Sequence, residues 1–373
     1  LSSDEHRPLD LAAVVVLAAG AGTRMKSDTP KVLHSISGRS LLGHAIRAGR
    51  RLNPERLCVV VRHQRDAVVA HALSVDPDVV IADQDDVPGT GRAVQCALEA
   101  LGELHGAVVV TAGDTPLLDD RELSALLADH TQSANDVTVL SARVANPHGY
   151  GRIVRSADSG AVTGIVEEKD ASEDERAIDE INTATYVFDA DLLREALAGV
   201  GTDNAQGEVY LTDVIAIASR EGRKVGAHIL DDPMSAEGAN DRCQLAQLGA
   251  ELNRRTLTQW MRAGVTIIDP GSTWIDVDVV LSPDVTIHPG CQLLGATVVA
   301  TGAEIGPDTT MRDTEVSEGA KVIRTHANLA MVGRGAQVGP FVHLGPDSKV
   351  LDGERVRPFS DITSVHAAGA GEG

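Results

Sequence analysis

A six-residue period in the second half of the chain constrains its fold more than any other feature. Ile275, Leu281, Ile287, Leu293, Val299, Ile305 and Met311 stand six apart. Four residues beyond several of them comes a small or β-branched side chain: Val285, Cys291, Thr297, Ala303 and Thr309. Pro283, Pro289, Gly295 and Pro307 supply turns between the apolar positions. A repeat whose sides are single short strands stacks into a parallel β-helix. The register slips after Met311 and resumes at Val332, Val338, Leu344 and Val350. An ordinary β domain is the alternative, and seven aliphatics in step argue against it.

Upstream the pattern differs. From about residue 11 to 230, short β-branched runs (Ala13–Leu17, Leu57–Val61, Ala107–Thr111, Val137–Ser141) alternate with helical patterns such as Leu41–Leu52 and Arg92–Leu101. Continuous apolar strands separated by amphipathic helices predict a mostly parallel sheet with helices on both faces. Such sheets bind ligands beyond the carboxyl ends of their strands. Residues 237–263 read as one connecting helix, with Leu245, Leu248 and Leu252 on one face and Gly264 as its stop. The expected division is an α/β domain over 11–236, the linker helix over 237–263, the β-helix over 264–358 and a disordered tail over 359–373.

Composition narrows the function. A chain of 373 residues suits two domains. Aromatics are 2 % of it, so the cores must rest on Val, Leu, Ile and Ala. A net charge of −21 repels phosphate backbones and argues against nucleic acid as a partner. Cys58, Cys96, Cys243 and Cys291 are scattered, with no CxxC spacing for zinc and no disulfide framework, which fits a reducing cytoplasm. The polar start LSSDEHRPLD is unlike a signal peptide, and the apolar run Leu11–Ala19 is too short to cross a bilayer, so no membrane partner is expected.

The segment richest in chemistry is LAAGAGTRMKSDTPK, Leu17 to Lys31. A strand enters a glycine-rich turn, where backbone N–H groups can approach phosphate, and Arg24 and Lys31 add charge. It is not a dinucleotide fingerprint, because Met25 stands where the third glycine belongs, and no Gly-Lys-Ser/Thr follows for a Walker loop. Read alone, it is also compatible with a tight turn whose Arg24 and Lys31 are merely solvated.

The string resembles the signature of nucleotide-sugar pyrophosphorylases, and further segments match in order. They are Gln84 with Pro88-Gly89-Thr90-Gly91, then Gly113-Asp114-Thr115-Pro116-Leu117-Leu118, then Asn146-Pro147-His148-Gly149-Tyr150-Gly151-Arg152. Glu167 with Glu168-Lys169-Asp170, Glu180-Ile181-Asn182, Gly207-Glu208 with Tyr210-Leu211-Thr212-Asp213, and Gly238-Ala239-Asn240 follow. The set is similar to bacterial N-acetylglucosamine-1-phosphate uridylyltransferase, the first half of a bifunctional enzyme, over roughly residues 11 to 350. The six-residue repeat resembles that of left-handed β-helix proteins, which commonly form trimers. The resemblance thus implies an α/β Rossmann-like nucleotidyltransferase domain followed by a partial left-handed β-helix of hexapeptide repeats.

It also implies a reaction: UTP and N-acetylglucosamine 1-phosphate give UDP-N-acetylglucosamine and pyrophosphate. Leu17, Ala18, Ala19 and Gly20 would line the nucleotide pocket, with Ala112 and Gly113 beside them. Gln84 would hydrogen-bond the uracil, and Gly89 and Thr90 would close over it. Lys31 would contact phosphate and Arg24 the departing pyrophosphate. Gly151, Glu167, Asn182, Thr212 and Asn240 would hold the sugar phosphate. Asp114 and Asn240 would bind Mg2+, which prefers hard oxygen donors and takes few from protein. An isolated Asp in a turn is more often a capping residue, and polar residues such as Glu167 and Asn182 often just end strands. Other members with a different base or sugar, or a non-catalytic trimeric scaffold, are the competing readings.

Four departures stand out. Where the family's acetyltransferase half has a leucine-arginine-proline step, this chain reads Leu344-Gly345-Pro346, and a lysine of the next coil corresponds to Thr363. The catalytic histidine of that half would lie beyond Gly373, and His326, His343 and His366 read as surface residues. Acetyltransferase activity is therefore expected to be absent. Ala184 stands where the family often has glycine, adding a methyl near the sugar pocket.

Overall fold

The computed structural model describes residues 11–363. The chain divides into two compact units, one holding the chain to His34 and from Ser40 to Leu245, the other holding Ser35–Arg39 and the chain from Ala246 onward. In order, the elements before the β-helix are β1 (Leu11–Leu17), β2 (Ser35–Ile36), β3 (Arg39–Ser40), α1 (Leu41–Arg51), β4 (Arg56–Val61), α2 (Arg65–Val75), β5 (Val80–Asp83) and α3 (Thr90–Leu101). Then come β6 (Ala107–Ala112), α4 (Asp120–Gln132), β7 (Val137–Arg143), β8 (Arg152–Arg155), β9 (Val162–Val166), α5 (Glu173–Arg176), β10 (Glu180–Asp189), α6 (Ala190–Ala198), α7 (Asp213–Arg220), β11 (Val225–Ile229) and α8 (Arg242–Arg262).

The first unit is built on one sheet with the order β11-β7-β10-β6-β1-β4-β5, and β8 and β9 extend it beside β10. Strands β6, β1, β4 and β5 run parallel, so their carboxyl ends share one edge. Alternate residues serve opposite faces. Ala13 and Val15 join a core with residues of α3, α6 and α7, and Val14 and Val16 join one with residues of α1, α2 and α4. All four are fully buried, which is why β1 reads as an unbroken apolar run. One central strand departs from parallel: β10 runs antiparallel to both β6 and β7. A doubly buried strand shows no direction in its sequence, so the apolar runs could not reveal this.

The helix read over 237–263 begins at Arg242. The Asp241 carboxylate accepts the Gln244 N–H at 2.9 Å and caps it, and 237–240 stay outside regular structure. The division between the units falls within α8.

The second unit is a left-handed parallel β-helix of three sheets, with six, six and five strands. Ile275, Leu293, Met311, Ala327 and Leu344 form one buried column, and Leu281, Val299, Val316, Val332 and Val350 another. The small residues also face inward: Val285, Cys291, Thr297, Ala303 and Thr309 are fully buried. The slipped register has a simple cause. From Met311 to Val316, Val322 to Ala327 and Ala327 to Val332, steps of five replace six, and pairing continues across the shortened corners. The β2–β3 hairpin contributes to this unit, where the Val277 N–H donates to Ser37 O at 3.1 Å and Arg39 meets Asp278 at 2.5 Å. The region read as a tail is structured in part. Asp361–Ile362 is a strand paired with Val342–Leu344, because Ile362 continues the six-residue spacing from Val356. Residues 364–373, His366 among them, lie outside the described residues. His326 and His343 are on the surface, stacked ring to ring at 5.8 Å, and His343 bonds Asp361 at 2.8 Å.

Candidate active site

The glycine-rich segment leaves β1 at the shared strand edge. Ala18 N donates to Val60 O at 2.9 Å and Gly113 N to Leu17 O at 2.9 Å, so Leu17–Gly20 and Ala112–Gly113 lie side by side. Gly113 sits tightly against β1, where a Cβ would lie 3.0 Å from Leu17 O. Gly22 has φ +62° and its missing side chain is the space taken by Lys31. The loop thereby folds back so that Lys31, in a short helical turn Lys31–Leu33, faces Asp114.

Four predicted phosphate and metal residues converge here. The Lys31 ammonium is ion-paired with the Asp114 carboxylate and donates to Asn240 Oδ1 at 2.8 Å. Arg24 donates to the same oxygen at 2.9 Å. Asn240 is delivered by the turn before α8: Ala239 N donates to Asp114 O at 3.1 Å, and Asn240 N to Gln244 Oε1 at 2.9 Å. Sequence reading gave no role to Gln244, nor to Arg242, whose guanidinium donates to Met25 O at 3.1 Å and ties down the loop.

Four of the five predicted sugar residues also gather, while Asn240 stands with Arg24 and Lys31. Asn182 N donates to Gly151 O at 2.9 Å, and a Cβ on Gly151 would lie 3.4 Å from the Glu167 carboxylate. Thr212 donates to Glu167 at 3.2 Å. Burial pushes the Glu167 carboxyl above the ordinary carboxylate range, with the Thr212 hydroxyl opposing the shift. The Gly149–Arg152 loop is pinned by the fully buried Arg152, which pairs with Glu168 at 2.8 Å. Both residues stood in the recognised segments without a role.

The third group forms the loop before α3. Gly89 has φ +121° and presses on the backbone of Val209, where no side chain fits. Gly91 N donates to Val209 O at 2.8 Å, and Leu211 N to Thr90 Oγ1 at 3.1 Å. Gln84 donates its amide to Val87 O at 3.0 Å and Gly89 O at 3.2 Å. Its N–H groups thus brace the loop, and its amide oxygen is left to accept.

Among the described residues, no three His, Cys, Asp or Glu side chains gather as a metal site. Asp114 and Asn240 offer two hard oxygens that already hold one cation, the Lys31 ammonium, between them. That donor set fits a hard divalent ion whose remaining ligands are water and substrate phosphate. Among the described residues no helix is long and apolar enough to cross a membrane.

A glycine loop at the carboxyl edge of such a sheet, with cations and oxygen donors beside it, suits the phosphates of a nucleotide. Residues 14–181 match the MobA-like NTP transferase domain. The bifunctional protein GlmU of Pseudarthrobacter chlorophenolicus is 55 % identical over 357 residues, covering 95 % of this chain and 72 % of that protein. GlmU of Kineococcus radiotolerans is 58 % identical, covering 92 % and 70 %, and that of Cutibacterium acnes 52 % identical, covering 95 % and 86 %. The chain belongs to the bifunctional GlmU family and is a nucleotidyltransferase of that type. Enzymes of this class act on a nucleotide and a sugar phosphate and generally use a divalent metal.

Proposed function

We propose that this enzyme joins UTP to N-acetylglucosamine 1-phosphate, releasing pyrophosphate and forming UDP-N-acetylglucosamine for cell-wall precursor synthesis in the cytoplasm. The observation that carries the reading is the convergence of Arg24, Lys31, Asp114 and Asn240 on one point. A phosphate oxygen of the sugar phosphate attacks the α-phosphorus of UTP, and the bond to the β-phosphate oxygen breaks as pyrophosphate leaves. That oxygen is already ionised near neutrality, so no general base is needed. Catalysis is positioning plus charge neutralisation. Lys31 meets phosphate charge and Arg24 the pyrophosphate. Asp114 and Asn240 would hold Mg2+, which when bound neutralises phosphate charge as a Lewis acid.

Gln84, with its N–H groups committed to the loop, presents its amide oxygen to the imide N–H of uracil. Gly151, Glu167, Asn182 and Thr212 receive the sugar, whose hydroxyls and acetamide require paired donors and acceptors. The β-helix serves as a trimerisation scaffold without acetyltransferase activity. In support, Gly345 is buried with Thr363 close by, so no arginine or lysine stands at those two positions.

The test offers the protein each nucleoside triphosphate with several sugar 1-phosphates and Mg2+ and measures pyrophosphate. Release greatest with UTP and N-acetylglucosamine 1-phosphate is expected, and another preferred pair would overturn the assignment. A parallel assay with acetyl-CoA and glucosamine 1-phosphate is expected to yield no free CoA thiol.

A further inference from the structure

Strand β10 carries an irregularity beside the proposed sugar pocket. Its pairing with β7 shifts between Asn182 and Thr185, and Ala184 in that bulge has φ +58°, a left-handed backbone that alanine adopts at a cost. The bulge turns the Ala184 N–H onto the Asn182 side chain, 3.1 Å from Oδ1. The other end of the amide, Nδ2, donates at 2.7 Å to the hydroxyl of Tyr186. Both side chains are buried, Asn182 8 % and Tyr186 2 % exposed.

These contacts settle the amide's orientation. A backbone N–H can only donate, so Oδ1 must face Ala184 and Nδ2 must face Tyr186, whose hydroxyl then accepts. One N–H and one lone pair remain on Asn182. It can therefore offer one donor and one acceptor in fixed places, the pairing an acetamide or adjacent hydroxyls require.

We infer that Tyr186 is a positioning residue for the transfer reaction, locking the Asn182 amide so that the pocket selects an N-acetylated sugar phosphate. This rests on the sugar-pocket reading given above. Without the hydroxyl, Nδ2 loses its buried acceptor, and the amide is held by the Ala184 contact alone. The Tyr186 ring also packs on Phe188 at 5.4 Å, and a phenylalanine would keep that contact.

Tyr186→Phe is the deciding variant, assayed beside Asn182→Ala. Tyr186→Phe should raise KM for N-acetylglucosamine 1-phosphate about tenfold, the weight of one buried hydrogen bond. kcat and KM for UTP should stay within about twofold, and preference over glucose 1-phosphate should shrink by the same factor. The double variant should be no worse than Asn182→Ala alone, because the tyrosine acts through the amide. If Asn182→Ala raises that KM and Tyr186→Phe leaves it unchanged, with or without a lower melting temperature, the positioning role is wrong. If Asn182→Ala itself leaves it unchanged, the pocket reading fails instead.

Discussion

The ammonium of Lys31 lies 2.8 Å from Oδ1 of Asn240, a residue 209 positions further along the chain. The same ammonium is also ion-paired with Asp114, so the glycine-rich loop, the turn after β6 and the turn before α8 meet at one nitrogen. Removing either member should separate catalysis from folding. Lys31→Ala and Asp114→Ala should each lower turnover at least several hundred-fold, the ~3–4 kcal/mol typical of one lost charge-stabilising contact. Both side chains keep some solvent contact, 14 % and 22 %, so melting temperatures should barely move. Steady-state pyrophosphate release and thermal unfolding check both halves. Near-wild-type turnover in either variant would remove that residue from the mechanism.

The glycine loop offers an internal control. Gly22→Ala places a side chain at φ +62° and into the space of Lys31. It should lose about 1–2 kcal/mol of stability from backbone conformation alone, and turnover with it as Lys31 shifts. A Cβ on Gly20 meets nothing within 4 Å, so Gly20→Ala should melt like the parent. Chemical denaturation of the two variants measures the contrast.

Glu167 should confer a pH dependence on sugar binding. Its carboxyl is raised by burial, so it takes up a proton as pH falls before an ordinary glutamate does at ~4.3. The protonated acid accepts less well from sugar hydroxyls. KM for the sugar phosphate should therefore climb on the acid side, and the Glu167→Gln variant should lack that component. The linkage sign gives a second readout. A carboxyl with a raised folded value is destabilising when ionised, so Glu167→Gln should be more stable than the parent near neutrality, with the advantage fading as pH falls. pH profiles of KM and of melting temperature test both.

In the β-helix, inward and outward positions of two successive strands should answer differently. Leu293 is fully buried, and Leu293→Ala should cost about 2–5 kcal/mol through lost burial and the cavity left behind. Val298, on the outer face and 40 % exposed, should change stability by less than about 0.5 kcal/mol as Val298→Ala. Equal effects would mean that the column does not carry the stability of this unit.

Much of this architecture is written in local spacing. The step of six from Ile275 to Met311 names the inward residue of each strand, because one side chain per short side must fill the narrow interior. The turn residues and the glycines at positions 22 and 113 mark where backbone comes close to something else. The recognised segments contain nearly every residue of the three side-chain groups that the fold brings together. Roles within those segments were less visible. Arg152 reads as one more charged residue, yet it is buried and pairs with Glu168. Tyr186 reads as a core aromatic, which its ring is, while its hydroxyl holds Asn182.

By itself the sequence determined the two kinds of layer and the glycine-rich loop, since period, glycine and charge are properties of neighbouring positions, and its resemblance to the family named the residues expected at the site. Only the tertiary structure decided that β10 runs against its neighbours, that α8 starts at Arg242, that the Gln84 amide donates inward, and that Lys31, Asp114 and Asn240 meet. Those depend on strand order and on which distant backbone groups need partners, and a hydrogen bond across 209 residues leaves no trace in either local pattern.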